Sequence, residues 1–196
     1  MTTTRKPPVK PGMVYRTSYF ANCSSNPTRL VSELVRCGKL QRLQGGLYLA
    51  PAASRWGELL PQADQLLNAW LKGRQGSDWV FTGSESWNAL GLGATAVHAV
   101  RWVYNKRRSG LVELGGHKFF MRKIPFPAHP PAEWVVVDLF NHAKYAAVDT
   151  ALLLTKLTEA VAEKRFDPAL LLKMAKRFGR KTTQLFVASA VNKDDK

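Results

Sequence analysis

Residues 26–51 read NPTRLVSELVRCGKLQRLQGGLYLAP, and the way this stretch divides decides the N-terminal fold. Asn26 suits a helix N-cap, and Pro27 suits the first helical position, where no backbone donor is needed. The helix then reaches about Cys37, and Gly38 ends it. At about 100° per residue, Leu30, Leu34 and Cys37 fall together, with Val31 flanking. Arg29, Ser32 and Arg36 fall on the opposite face, Ser25 lies just ahead on the same side, and Glu33 stands to one side. Hydroxyls and guanidiniums backed by an apolar face are an inventory for reading a DNA major groove: Arg on guanine or phosphate, Ser and Asn on base edges or backbone. The bland alternative is the solvated face of a core helix.

The next segment favours the groove reading. KLQRL and LYLAP alternate around QGG, a hairpin signal. Upstream, GMVYRTSYFANCSS predicts a brief extended piece and then a short helix from Ser18 to about Ala21, capped by Thr17 or Ser18. Short helix, turn, exposed helix and basic hairpin is the order of a winged helix-turn-helix, whose second helix enters the major groove while the hairpin follows the backbone or the adjacent minor groove. The candidate DNA-binding residues are Arg16, Thr17, Ser25, Asn26, Thr28, Arg29, Ser32, Arg36, Lys39 and Arg42. One part of the pattern is missing. A long first helix should precede GMVYRT, and only a short Pro- and Lys-rich run stands there. That helix is either absent or supplied by another part of the chain.

Charge points the same way. The 196 residues carry 29 Lys+Arg against 14 Asp+Glu, a formal net charge of +15. This favours a polyanionic partner, most often nucleic acid, although a ribosome-associated or membrane-surface protein shares the bias. The excess clusters in residues 1–50, 101–123 and 164–181, with near-neutral stretches between. Arg101, Lys106, Arg107, Arg108, Lys118, Arg122 and Lys123 form a second basic surface if they share a face; otherwise they guard a sheet edge. Lys173, Lys176, Arg177, Arg180 and Lys181 form a third cluster, which also suits a helix C-terminus.

GMVYRTSYF…SSNPTRLVSELVRCGKLQRLQGGLYLAP resembles the N-terminal winged helix of AbiEi-type antitoxins. WVFTGSESWNALGLGATAVHAVRWVYNKRRSGLVELGGHKFFMRKIP resembles the start of that family's C-terminal domain, through FTG, a short helix ending in LGL, and LGG before a basic strand. The likeness covers roughly residues 12–125 and is weaker beyond. It implies a bacterial antitoxin and transcriptional autorepressor that binds inverted repeats in its own promoter as double-stranded DNA, with two copies per repeat pair. It also implies a nucleotidyltransferase-like toxin, counteracted without a stable complex.

The expected architecture is α+β: a basic flexible arm over 1–11, a winged helix-turn-helix over 12–53 and a mixed α/β C-terminal domain over 54–192. In the latter, Leu59–Lys72 is a helix by its apolar spacing, WVFTG a buried strand, Ser84–Leu90 a short helix and Val97–Tyr104 a strand. Leu111–Leu114 and His117–Lys123 form a hairpin around Gly115 and Gly116. WVVVDLF within Trp134–Ala143 reads as helix or buried strand, and the resemblance favours helix. Helices follow over Ala147–Glu163, from an Asp167 cap to Phe178, and over Thr182–Val191.

Catalysis finds little support. His98, His117, His129 and His142 lack metal-ligand spacing, His117 reads as an exposed loop residue, and the TGSES stretch, with Glu85 near Ser84 and Ser86 but no partnered histidine, reads as a strand-to-helix cap. Cys23 and Cys37 are too few for a disulfide framework. The expectation is therefore a cytoplasmic protein that is not an enzyme, with no cofactor, no metal and no membrane association. The competing class is a basic winged-helix protein that binds structured RNA or another protein.

Overall fold

The computed structural model describes residues 8–55 and 57–192 and is of the α+β class. Two compact units divide the chain. One runs through residue 75 and takes in Leu111–Phe119; the other holds Gly76–Gly110 and the residues from Phe120 on. The expected boundary after residue 53 thus falls inside the first unit.

In the first unit, β1 (Val14–Arg16), β2 (Gln41–Arg42) and β3 (Leu47–Leu49) form an antiparallel sheet in the order β1-β3-β2. Tyr15 faces Tyr48 and Arg16 faces Leu47 across one ladder; Arg42 faces Tyr48 across the other. Strand alternation places Leu47 and Leu49 inside and Tyr48 at the half-buried face. Between β1 and β2 lie a 3-10 helix (Thr17–Asn22) and α1 (Pro27–Arg36). The N-cap holds as read: Asn26 Oδ1 accepts from the Arg29 N–H at 3.1 Å, and Pro27 opens the helix. Gly38 follows at φ +72°, a left-handed position that favours glycine. The 3-10 helix, by contrast, begins after Arg16 with no side-chain cap, so neither Thr17 nor Ser18 caps it.

Val31 and Leu34 centre the buried face of α1 and pack with Tyr15, Phe20, Leu40 and Ala50. Cys37 is exposed rather than part of that face, because the helix ends one residue earlier. The expected flexible arm over 1–11 falls only in part on described residues. Residues 1–7 lie outside the described residues, but Pro8–Gly12 is tied down. The Lys10 N–H donates to the Tyr15 hydroxyl at 2.8 Å, and the Gly12 N–H donates to the Ala50 carbonyl at 2.8 Å.

After a two-residue hairpin, β4 (Ala53–Ser54) with β5 (Gly57–Glu58), comes α2 (Ala63–Leu71). It begins four residues later than expected. Pro61 keeps its predecessor out of the helical region, and Gln62 is extended. α2 packs on β1 and β3 with Leu66, Leu67 and Leu71 buried. It therefore covers the sheet where a leading helix was expected. Arg16 fastens it: its Nη1 donates to the carbonyls of Ala69 at 2.9 Å and Trp70 at 3.0 Å. Those carbonyls belong to the helix end, whose last turn has no intrahelical donors and carries partial negative charge.

The second unit holds β6 (Trp79–Thr82), α3 (Ser84–Asn88), β7 (Arg101–Asn105), α4 (Ala132–Asn141), α5 (Thr150–Ala162), α6 (Pro168–Phe178) and α7 (Lys181–Val191). β6 pairs antiparallel with β7, Thr82 opposite Trp102. The four-stranded sheet has the order β6-β7-β9-β8, with β8 spanning Gly110–Leu114 and β9 His117–Lys123. The ambiguous WVVVDLF is helix, within α4. β7 starts at Arg101, not Val97, because loop partners take the preceding backbone groups. Asn88 Nδ2 donates to the Ala96 carbonyl at 2.8 Å, and the His98 N–H donates to Ser84 Oγ at 3.2 Å. Val97 is accordingly 90% exposed. α5 starts at Thr150 because Asp149 caps it, accepting from Ala151 and Leu152 at 2.8 and 3.1 Å. Asp167 caps α6 in the same way at 2.9 and 3.2 Å, as the sequence indicated.

The role of Arg16 makes a prediction. Arg16→Met removes two charge-assisted bonds to helix carbonyls and should destabilise the chain by about 1–2 kcal/mol. Thermal melting would show the loss as a lowered Tm; an Arg16 that served only DNA would leave Tm unchanged.

Candidate functional site

Two arrangements in the molecule can do chemistry, one on the surface and one buried. On the surface of α1, Thr28, Ser32 and Arg36 follow one another at four-residue spacing, with Arg29 beside them, and all four are exposed. They lie away from the buried Val31 and Leu34, so the helix presents a polar face of the expected composition. Arg29 Nε pairs with Glu33 Oε1 at 3.1 Å. Such an exposed pair contributes about 0–1 kcal/mol, so a phosphate or base can displace it at small cost. Ser32 Oγ donates to the Thr28 carbonyl at 3.0 Å and retains its acceptor lone pairs.

Ser25, Asn26, Lys39 and Arg42 are exposed as well, with Arg42 on β2. Asn26 spends its side-chain oxygen on the cap. Thr17 is half-buried at the start of the 3-10 helix. Arg16 belongs to the candidate surface only by sequence proximity. It is half-buried, with its guanidinium on α2.

The residues of the second basic group differ in exposure and partners. Arg101 lies over the Phe81 ring and pairs with Glu85 at 3.2 Å. Lys106 pairs with Asp78 at 3.8 Å. Arg122 is half-buried over the Tyr104 ring, on the opposite face of the sheet from Phe81. Arg107, Arg108, Lys118 and Lys123 are exposed. His117 lies on β9 and is half-buried, its Nε2 2.9 Å from the Pro61 carbonyl oxygen, so it is not an exposed loop residue. TGSES does join the end of β6 at Thr82 to the start of α3 at Ser84, with Gly83 in the N-cap position and no side-chain cap bond.

The buried arrangement centres on Asp138 of α4, which is 3% exposed. Its Oδ2 accepts from Thr82 Oγ1 and from Trp87 Nε1, the latter at 2.9 Å; its Oδ1 accepts from the Tyr104 hydroxyl at 2.8 Å. His142, one turn later, places Nδ1 3.0 Å from the Asp138 carbonyl oxygen and 3.3 Å from Oδ1. Its Nε2 lies 3.0 Å from Arg122 Nη1. A guanidinium only donates, so these contacts assign Nε2 as the acceptor and Nδ1 as the protonated nitrogen.

Burial pushes the Asp138 carboxyl up. The hydrogen bond from His142, the charge of that ring when protonated, and the bonds from Thr82 and Tyr104 outweigh burial and hold the carboxyl below its ordinary value. Burial, then the charge of Asp138 and the bond to it, push the Tyr104 phenol far up against the opposing pull of Arg122 and Arg180. Tyr104 therefore keeps its proton as a donor.

Beside this network lies a recess of about 190 Å³. Tyr104, Asp138, His142, Arg122, Asn141 and Arg180 give it polar walls; Ile124, Pro125, Trp134 and Phe178 give it apolar ones. The sequence reading passed over this group. The available signal was an Asp inside an apolar helical run with a His four residues on, hence on the same face.

Among the described residues, no cluster of His, Cys, Asp or Glu is arranged to hold a metal, and no helix is long and apolar enough to cross a membrane. No protein-family model matches the chain, and no curated protein matches it.

The Asp138 cluster should govern stability and its dependence on acid. The folded carboxyl sits below its unfolded value, so its contribution is complete above the ordinary carboxylate range and is lost as pH falls through the folded value. Asp138→Asn can keep an oxygen for Thr82 and Trp87 but then sets its amide donor against the Tyr104 hydroxyl and the Nδ1–H of His142, and should cost about 1–3 kcal/mol. Thermal melts from neutral to acid pH should show a lower Tm for the variant and a flatter acidic decline than in the parent chain.

Proposed function

We propose that this chain is a sequence-specific double-stranded DNA-binding protein in which residues 12–53 act as a winged helix-turn-helix. α1 is the groove-reading helix, and the β2–β3 hairpin is the backbone-holding wing. The single observation that carries this reading is the exposed face Thr28, Arg29, Ser32 and Arg36 on a capped helix that leads directly into a strand bearing Arg42. The formal net charge of +15 supports it by favouring a polyanionic partner. In this reading α2 substitutes for the missing first helix.

The likeness of residues 12–125 to AbiEi-type antitoxins extends the proposal. The chain represses its own promoter by binding inverted repeats, two copies per repeat pair, and counteracts a nucleotidyltransferase-like toxin without a stable complex. Footprinting of the region upstream of its gene should reveal a protected repeat. Equal binding to random DNA and structured RNA would replace this reading with general polyanion binding.

Reading and holding separate by mutation. Arg29→Ala should cost roughly 1–3 kcal/mol on the cognate repeat and less on random duplex, so discrimination falls. Arg42→Ala should weaken both duplexes alike and reduce the salt slope by about one phosphate contact. Binding isotherms for both variants at several salt concentrations check this, and an unchanged cognate-to-random ratio for Arg29→Ala removes that residue from the reading face.

A further inference from the structure

We propose that the recess between α4, the strand end at Arg122 and the Phe178–Arg180 turn binds a small phosphate-type oxyanion, free or as the head of a phosphomonoester. Two arginines, Arg122 and Arg180, line the same recess of about 190 Å³. Among the described residues, neither has a carboxylate within ion-pair distance. The one acid in the wall, Asp138, already accepts bonds from Thr82, Trp87 and Tyr104. The recess therefore has more fixed positive than negative charge, and its guanidinium donors exceed the acceptors offered to them.

Arg122 is held through its guanidinium and Arg180 through its backbone. Arg122 donates one N–H to His142 Nε2 and lies over the Tyr104 ring at 5.9 Å, leaving its other donors for a ligand. Asn141 Oδ1 accepts from the Arg180 backbone N–H and from Thr183 Oγ1, each at 2.9 Å, while Asn141 Nδ2 donates to the Phe178 carbonyl at 3.0 Å. That residue fixes the turn from which Arg180 extends. Planar guanidiniums with spare paired donors match tetrahedral oxyanions. The size limits the guest: ordinary small-molecule pockets run to roughly 300–1,000 Å³, so this recess suits an oxyanion or a small monoester rather than a nucleotide. Trp134, Phe178, Ile124 and Pro125 provide an apolar wall for the organic part of a monoester.

Calorimetric titration and thermal melting of the full chain with inorganic phosphate, phenyl phosphate and chloride at matched ionic strength test the proposal. Saturable heat and a raised Tm are expected with at least one phosphate and not with chloride. Tighter inorganic phosphate indicates a free oxyanion; tighter phenyl phosphate indicates a monoester. Arg180→Gln, an exposed side chain whose backbone anchor persists, should weaken the midpoint roughly tenfold, the loss of one charge-assisted contact. Lys173→Gln removes the same charge from α6 outside the recess and should leave the midpoint unchanged. Non-saturating stabilisation by all three anions, or equal weakening by Arg180→Gln and Lys173→Gln, overturns the site and reduces the effect to the general charge of the chain.

Discussion

The second unit depends on one buried negative charge. An isolated carboxylate in an apolar interior costs several kcal/mol or more, so Asp138 is tolerable only while its donors stay in place. Those donors come from β6, α3 and β7, and His142 comes from the far end of α4 itself. The two strands, the short helix and the long helix must therefore meet in one arrangement. Apolar packing around Trp87, Tyr104 and Trp134 supplies the area for burial but no comparable selection among alternatives.

The first unit is organised differently. Its core is apolar, and its polar devices lie at chain ends: Asn26 at the start of α1, Arg16 at the end of α2. Each satisfies backbone groups that a helix terminus leaves open. This frees the middle of α1 from structural duty on its outer face, where Thr28, Arg29, Ser32 and Arg36 have only exposed neighbours or their own helix to answer to. The arginines accordingly differ in what they touch. Arg29 and Arg42 are exposed, Arg16 fastens a helix end, and Arg122 lies over the Tyr104 ring and donates to His142.

Local signals in the sequence were sound where the physics is local. The Asn26–Pro27 start, the Asp167–Pro168 start and the Gly115–Gly116 turn need only neighbouring residues, and each lies where it was read. Boundaries failed where a distant partner competes. Val97 looked like a strand residue by pattern, yet its neighbours bond to Asn88 and Ser84. Arg16 looked like part of a basic face, yet the carbonyls that claim it lie more than 50 residues on. The Asp138 cluster was legible only in its local part, the Asp with a His four residues on; the bonds from Thr82, Trp87 and Tyr104 exist because the tertiary fold turns those side chains toward one carboxylate.

The composition of the first unit bears on how the chain acquires it. Its sheet is covered by α2, and its last portion, Leu111–Phe119, is separated from the rest by a segment belonging to the other unit. α1, at ten residues, is too short to hold in water by itself, but the partners that hold it, Tyr15, Phe20, Leu40 and Ala50, are all made early. The complete unit must wait until residue 119 has been synthesised and has cleared the exit tunnel. The apolar packing beneath α1 uses only residues 9–50, so the part of the unit that waits for β7 and its turn is Leu111–Phe119, and a nascent chain halted before that point already carries the core of the proposed DNA-binding head.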